Sequence, residues 1–297
     1  MESSKSPSKS NARAYSPGLE RYLLELELDG LTVVPQEVHG VADETIDALA
    51  KFLLEEAERM TGCRFDLATG PCAELVFPED TVATGLDKGP APSQFLIQQL
   101  AHKHRLFRDL AVNPTSVELM RHLIGTRATR FSSFNSFVKW QGEHGYGASL
   151  GLHADQTAVP LPWGRTALTA NTNWCLTDYT LDNGCLAYVP GSHKFGSRPV
   201  FPDAVEKALP VEAPKGSLIV FHGATWHGAF PKKNPGMRLS IANYHRHVMV
   251  TSQENIRISL PRELARDCEN PTLFEQLVGF EDEFPYSAQS QPVPRLA

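Results

Sequence analysis

His153 and Asp155, one alanine apart in Gly151-Leu-His-Ala-Asp-Gln156, are the residues whose types and spacing point most directly to chemistry. In an extended strand, side chains at i and i+2 project to one face. An imidazole and a carboxylate at that spacing can therefore grip one cation together. Such tripeptides are common accidents, so a ligand set needs a third member. His227, in Trp226-His-Gly228 shortly after the apolar run Ser217 to Phe221, is the candidate. Two imidazoles and one carboxylate leave three positions open on the ion, the arrangement associated with non-haem Fe(II) oxygenases. The same trio can hold catalytic zinc, so a zinc-dependent hydrolase is the first alternative, although no H-E-x-x-H occurs.

Arg238 follows His227 by eleven residues, across Pro231-Lys-Lys-Asn-Pro-Gly236. If the flanking segments pair as a hairpin centred near Lys233 and Asn234, Ser240 faces His227 and Arg238 faces Ala229. His227, Arg238 and Ser240 then share one side of a sheet, with diagonal neighbours about 7–8 Å apart. That reach suits a five-carbon diacid, chelated to a metal at one end and held by a guanidinium at the other. Arginine suits the far end because its planar fork binds carboxylate in a bidentate way and keeps its charge. A register slip of one residue would turn Arg238 away.

Other histidines compete for the metal. His245-Arg-His247 has same-face spacing but no clear third ligand. His222 reads as a strand-end packing residue, His102 and His104 as exposed helical residues, and His144 as part of a Gly-rich loop. Trp140, Tyr146, Trp163 and Arg165 flank the His153 segment and are candidate substrate-pocket residues. The aromatics could equally be packing residues.

Elements must carry these groups. Leu19 to Leu28 and Thr45 to Met60 have helical spacing, and Leu31 to Val34 reads as a strand. Residues 61–94 are rich in Gly, Pro and Asp and read as irregular. Gln94 to Asp109 and Ser116 to Ile124 read as helices. From Thr129 the pattern changes to short strands punctuated by turns: Phe131 to Trp140, Leu168 to Leu176, Leu186 to Val189, Ser217 to Phe221 and Arg238 to His245. An antiparallel sandwich or barrel follows. The expected organisation is a disordered leader (1–17), one domain over 18–286 with a helical part to about 128 and a β core over 129–250, and a disordered tail (287–297).

Composition excludes several classes. A net charge of -6 gives no support to nucleic-acid or anionic-membrane partners. No apolar run approaches the roughly 20 residues of a membrane helix. The five scattered cysteines form no C-x-x-C pair, which argues against a disulfide framework and for a reducing, cytoplasmic setting. Oligomeric state is not legible here.

Taken together, these residues resemble the phytanoyl-CoA dioxygenase family of Fe(II)/2-oxoglutarate-dependent oxygenases. The similarity runs from about Leu150 to Tyr244. It comprises Leu152-His-Ala-Asp155, Asp182-Asn-Gly-Cys-Leu186, Val189-Pro-Gly-Ser-His-Lys194, Lys215-Gly-Ser-Leu-Ile-Val-Phe221, Thr225-Trp-His227, Asn234 and Arg238. The resemblance implies a mainly β protein with flanking helices, in which a double-stranded β-helix (jelly-roll, cupin-like) core is packed by N-terminal α-helices. It implies iron on His153, Asp155 and His227, and 2-oxoglutarate on Arg238 with help from the Ser240 hydroxyl. Trp174 is similar in placement to a tryptophan lining the cosubstrate pocket. The implied reaction consumes O2 and 2-oxoglutarate and hydroxylates a C–H bond of a small or medium organic substrate, with succinate and CO2 released. Desaturation, epoxidation or cyclisation would use the same cofactors. A non-catalytic jelly-roll binding module is the remaining alternative, and it would be expected to have lost a ligand.

Overall fold

The structure, a computed structural model, describes residues 16–76, 92–142 and 147–284. The tail from 287, most of the expected leader, Tyr146 and His144 lie outside these residues.

Six helices lie among the described residues before 128: α1 (Glu20–Asp29), α2 (Gln36–His39), α3 (Asp43–Thr61), α4 (Leu100–Lys103), α5 (Arg105–Ala111) and α6 (Pro114–Ile124). The longest, α3, follows from its sequence. Ile46, Leu49, Ala50, Leu53 and Ala57 recur at helical spacing and are all buried. It stops at Gly62, whose left-handed conformation lets its N–H return to the Glu58 carbonyl. Asn113 caps α6 by accepting from the Ser116 N–H, with Pro114 in the first turn.

The strands are β1 (Leu31–Val34), β2 (Phe65–Asp66), β3 (Gly70–Pro71), β4 (Gln94–Ile97), β5 (Thr129–Trp140), β6 (Thr169–Cys175), β7 (Leu186–Tyr188), β8 (Leu209–Val211), β9 (Leu218–His222), β10 (His227–Ala229) and β11 (Met237–His247). A six-stranded antiparallel sheet has the order β1-β9-β6-β11-β5-β4, and a smaller one the order β10-β7-β8. Two antiparallel sheets with helices on the outer face of the larger one make the jelly-roll arrangement that the family resemblance implied. Among the described residues, no helix is long and apolar enough to cross a membrane.

The large sheet is two-faced, and period-2 alternation divides its residues. Along β11, Leu239 and Ile241 join the helix-covered core while Arg238, Ala242 and Tyr244 face the interior between the sheets. Along β5, Phe134 and Val138 face the helices, while Ser133, Asn135 and Phe137 face inward.

Two expectations are corrected here. Gln94 to Ile97 is a strand and not the start of a helix: Leu96 sits opposite Phe137 and β4 closes the sheet edge. Its run of Phe95, Leu96 and Ile97 fits either state locally, and pairing with β5 decides it. The supposed hairpin is absent too. β10 pairs with β7, with Gly228 opposite Ala187, whereas β11 pairs with β5 and β6. The residues between them cross from the small sheet to the large one. Buried Lys232 holds that crossing, donating to Asn183 Oδ1 and to the Asn234 and Pro235 carbonyls.

The loop after β11 folds back on the sheet through Glu254. Its carboxylate accepts from the Gln99 N–H at 2.7 Å and the Phe134 N–H at 3.1 Å. Burial outweighs these donors and pushes its pKa up to about 7. The native state thus holds this proton more tightly than the unfolded chain, and the stability it gives is lost as pH rises towards 7. Between pH 5 and pH 8, urea unfolding should show the wild type losing about 2 kcal/mol more than Glu254→Gln. Equal losses in the two proteins would contradict this linkage.

Candidate metal centre

Backbone pairing, not side-chain contact, first brings the two histidines together. The His153 N–H donates to the His227 carbonyl and the His227 N–H to the His153 carbonyl, both at 2.8 Å. This isolated antiparallel bridge puts the two residues directly opposite, with ring centroids 4.3 Å apart. Gly228 makes the approach possible, because a Cβ there would lie 2.1 Å from the Leu150 carbonyl oxygen.

Each ring is oriented by a short backbone contact. His153 Nδ1 lies 2.8 Å from the Gly151 carbonyl and His227 Nδ1 2.9 Å from that of Thr225. A carbonyl only accepts, so each Nδ1 carries the proton and each Nε2 lone pair is free. Asp155 Oδ1 completes the trio at 3.5 Å from His153 Nε2 and 3.6 Å from His227 Nε2. The H-x-D segment is not one continuous strand as expected. His153 is held in the bridge and Asp155 opens a 3-10 turn (Asp155–Ala158) after extended Ala154. Asp155 is further fixed by the Asn171 amide, which donates to Oδ2 at 3.0 Å, and by the Tyr244 hydroxyl, which donates to its carbonyl at 2.9 Å.

The ligand atoms of His153, Asp155 and His227 all lie within 4.8 Å of one another, and among the described residues no other group of three does so. Their charge states suit a cation. Burial lowers the His227 pKa to about 4, leaving a neutral imidazole. Burial alone would raise Asp155, but the neighbouring His227 and His153 imidazoles and the Asn171 amide hold it at about 2, an ionised carboxylate. His153 is the exception: burial works to lower its pKa, but the hydrogen bond and charge of Asp155 raise it above the ordinary imidazole value, so a cation bound there must displace a proton.

Arg238 opens onto the same cavity, about 630 Å³ in volume. It is 4% exposed, its guanidinium lies 4.9 Å over the Tyr179 ring, and Nη1 donates to the Gly184 carbonyl. Its Nε and the Ser240 Oγ are buried without a hydrogen-bond partner. Two neighbouring donors left unsatisfied are costly unless an anion arrives. A metal triad and a guanidinium with an unpaired Nε–H in one cavity thus fit a chelating diacid.

Other candidate residues fall elsewhere. Trp174 lies on the opposite face of β6, edge-on to His39 in the helix-covered core; its neighbour Asn173 faces the cavity. Trp140 packs on Phe65 and Phe95 on that same outer side. Trp163 is buried among Leu152, Ala154 and Trp226 beneath the small sheet, its indole donating to the Val159 carbonyl. Arg165 lines a separate cavity of about 370 Å³ with His122, His193 and His222. His245 is buried against Phe131. Asn171, Asn173, Tyr179 and Tyr244 were missed. The same-face series Arg238, Ser240, Ala242 and Tyr244 would have found Tyr244, and the spacing of Asn171 and Asn173 marks them as a pair.

A model of the phytanoyl-CoA dioxygenase family (PhyH) matches residues 26–240. The "Dioxygenase af480" of Aspergillus fumigatus is 31% identical over 213 residues, covering 68% of this chain. The match spans 66% of that relative's length, just under two thirds. Among solved structures, the non-heme alpha ketoglutarate dependent epimerase SnoN from nogalamycin biosynthesis superposes with a TM-score of 0.55 at 19% identity, covering 80% of this chain and 86% of SnoN. HygX from Streptomyces hygroscopicus, with nickel and 2-oxoglutarate bound, gives 0.55 at 15%, covering 78% and 89%. At these identities the likeness is one of fold.

Two substitutions separate the site from its surroundings. Asp155→Ala should abolish Mn(II) binding in an EPR titration. Trp174→Ala should cost about 3–5 kcal/mol of stability through the cavity it leaves, with Mn(II) affinity unchanged. A Trp174→Ala protein with intact stability and weakened metal binding would reverse this assignment.

Proposed function

This chain belongs to the phytanoyl-CoA dioxygenase family, and from that premise we propose that it is an Fe(II)- and 2-oxoglutarate-dependent oxygenase that hydroxylates a C–H bond of a small or medium organic substrate. One observation carries the reading. His153, Asp155 and His227 converge within one cavity that also contains the buried Arg238 guanidinium.

In this reading the Nε2 atoms of His153 and His227 and one oxygen of Asp155 hold the iron, and Arg238 and Ser240 take the far carboxylate of 2-oxoglutarate. Iron, 2-oxoglutarate and O2 supply the oxidising power when bound, with succinate and CO2 as co-products. The chain's own residues bind and orient. Thr225 and Gly151 carbonyls fix the imidazole tautomers, and Asn171 occupies the second oxygen of Asp155, leaving the first for the metal. The Tyr179 ring lies 4.9 Å from the Arg238 guanidinium and helps hold it by a cation–π contact. Phe221, Leu186 and Phe137 line the cavity with apolar surface that excludes water from the reacting centre.

The printed descriptions of SnoN, an alpha ketoglutarate dependent epimerase, and of HygX, with nickel and 2-oxoglutarate, are in keeping with this cofactor set. An epimerase on a similar fold also keeps desaturation, epoxidation and cyclisation open as alternatives to hydroxylation. The zinc-hydrolase reading leaves the partnerless Arg238 Nε and Ser240 Oγ without a purpose, and the binding-module reading does the same for the complete triad. We place the enzyme in the cytoplasm as one oxygenase domain over 18–286, on the sequence grounds given above.

Arg238→Ala supplies the test. Losing one partner of a buried charge pair costs about 2–5 kcal/mol, so the dissociation constant for 2-oxoglutarate should rise about 30-fold or more. Mn(II) affinity should stay the same. Full activity with zinc alone, or 2-oxoglutarate affinity indifferent to Arg238, would defeat the proposal.

A further inference from the structure

The cavity's polar wall carries more than a cofactor site requires. Asn171 and Asn173 sit at i and i+2 on the inner face of β6, and both line the cavity. Each amide nitrogen is committed: Asn171 Nδ2 to Asp155 Oδ2 at 3.0 Å, and Asn173 Nδ2 to the Tyr179 hydroxyl at 3.2 Å. The Asp155 carboxylate, which only accepts, fixes the orientation of the Asn171 amide. Flipping Asn171 would set its carbonyl against a carboxylate. Both carbonyl oxygens are buried and have no donor. A buried acceptor left without a donor costs roughly 1–3 kcal/mol. 2-Oxoglutarate cannot supply the donor, since its two carboxylates and ketone only accept.

The charge pattern adds a second observation. Beyond the triad and Arg238, the lining includes Gln98, Ser133, Asn135, Thr157 and Gln253, all neutral and polar. Among the described lining residues, Arg238 is the one permanent cation, and the cosubstrate's far carboxylate consumes it. Among the described lining residues a second anion would find no further cation to pair with, at a high desolvation cost. Ser133 and Gln253 are already linked at 2.7 Å, so this wall is ordered before a ligand arrives.

Resting on the oxygenase reading above, we propose that the cavity selects a neutral alcohol: a substrate whose hydroxyl donates to the carbonyl oxygen of Asn171, with Asn173 as the second acceptor. Carboxylates and CoA thioesters are turned away by the missing counter-charge. Asn171 is then a specificity residue as well as the group that positions Asp155. A site built to hydrogen-bond a hydroxyl rejects the analogue that lacks it far more strongly than an apolar pocket rejects a change of size.

The test uses the full-length protein loaded anaerobically with Fe(II) and 2-oxoglutarate, with loading confirmed by the visible absorption of the chelate. Failure to develop that absorption would fault the oxygenase reading and not this inference. Matched probes on cyclohexyl, decalyl and adamantyl scaffolds are titrated calorimetrically: the alcohol, its methyl ether, the carboxylate and the CoA thioester of that carboxylate. At least one alcohol should bind, about tenfold or more tighter than its ether and its carboxylate. Asn171→Leu should bring that alcohol level with its ether; if this variant does not load, Asn173→Leu, which leaves the Asp155 contacts and the Asn171 acceptor intact, takes its place and should narrow the alcohol's margin over its ether without abolishing it, an unchanged margin then counting as survival of the preference. The proposal is overturned if no alcohol binds on any scaffold, if a carboxylate or thioester binds as tightly as the alcohol, if the ether equals the alcohol in the wild type, or if the alcohol preference survives in the variant.

Discussion

The reciprocal backbone bridge between His153 and His227 is the constraint on which the site depends. Two 2.8 Å hydrogen bonds fix the spacing of two residues that stand far apart in sequence, and the imidazoles follow from the backbone. Nothing in the rings themselves would favour packing two imidazoles beside a buried carboxylate. The bridge needs close backbone approach, and Gly228 provides it by offering no Cβ to the Leu150 carbonyl. Asp155 then arrives by a different device, a 3-10 turn that swings its carboxylate across the paired rings.

Around that bridge, the two faces of the large sheet divide the work. The outer face is apolar and held under the helices, with Trp174, Leu239 and Ile241 in one continuous core. The inner face is polar to an unusual degree for a buried surface, with Arg238, Ser240, Asn171 and Asn173 on neighbouring strands. Several of their polar atoms have no partner within the protein. Such atoms cost stability in the absence of a ligand, which is the expected compromise where binding takes precedence over packing.

Much of this was legible in the sequence, and the failures have physical causes. The His153, Asp155, His227 and Arg238 set could be read from residue type and spacing, and an antiparallel sandwich or barrel from short strands interrupted by turns; the jelly roll followed from the family resemblance. The route was misjudged. A hairpin between β10 and β11 would have put Arg238 beside His227 within one sheet, but the two strands belong to different sheets and meet across the cavity. The same-cavity outcome survived because the inward face of β11 carries Arg238 in either case. Tryptophans misled the reading of the pocket: Trp174 and Trp140 are one residue out of phase with the inward face, and period-2 alternation sends them to the core. Gln94 to Ile97 reads equally as helix because a short apolar run does not declare its period, and pairing with β5 makes it a strand. Asn171 and Asn173 went unnoticed because an amide in a strand carries no signal until its neighbours are known.

The most direct measurement is a crystal structure with Mn(II) and 2-oxoglutarate, in which anomalous scattering locates the metal. The account predicts one ion bound by Nε2 of His153, Nε2 of His227 and a single oxygen of Asp155, with the distal carboxylate of 2-oxoglutarate on Arg238 and Ser240. An ion bound elsewhere, or a 2-oxoglutarate whose far end points away from Arg238, would contradict it.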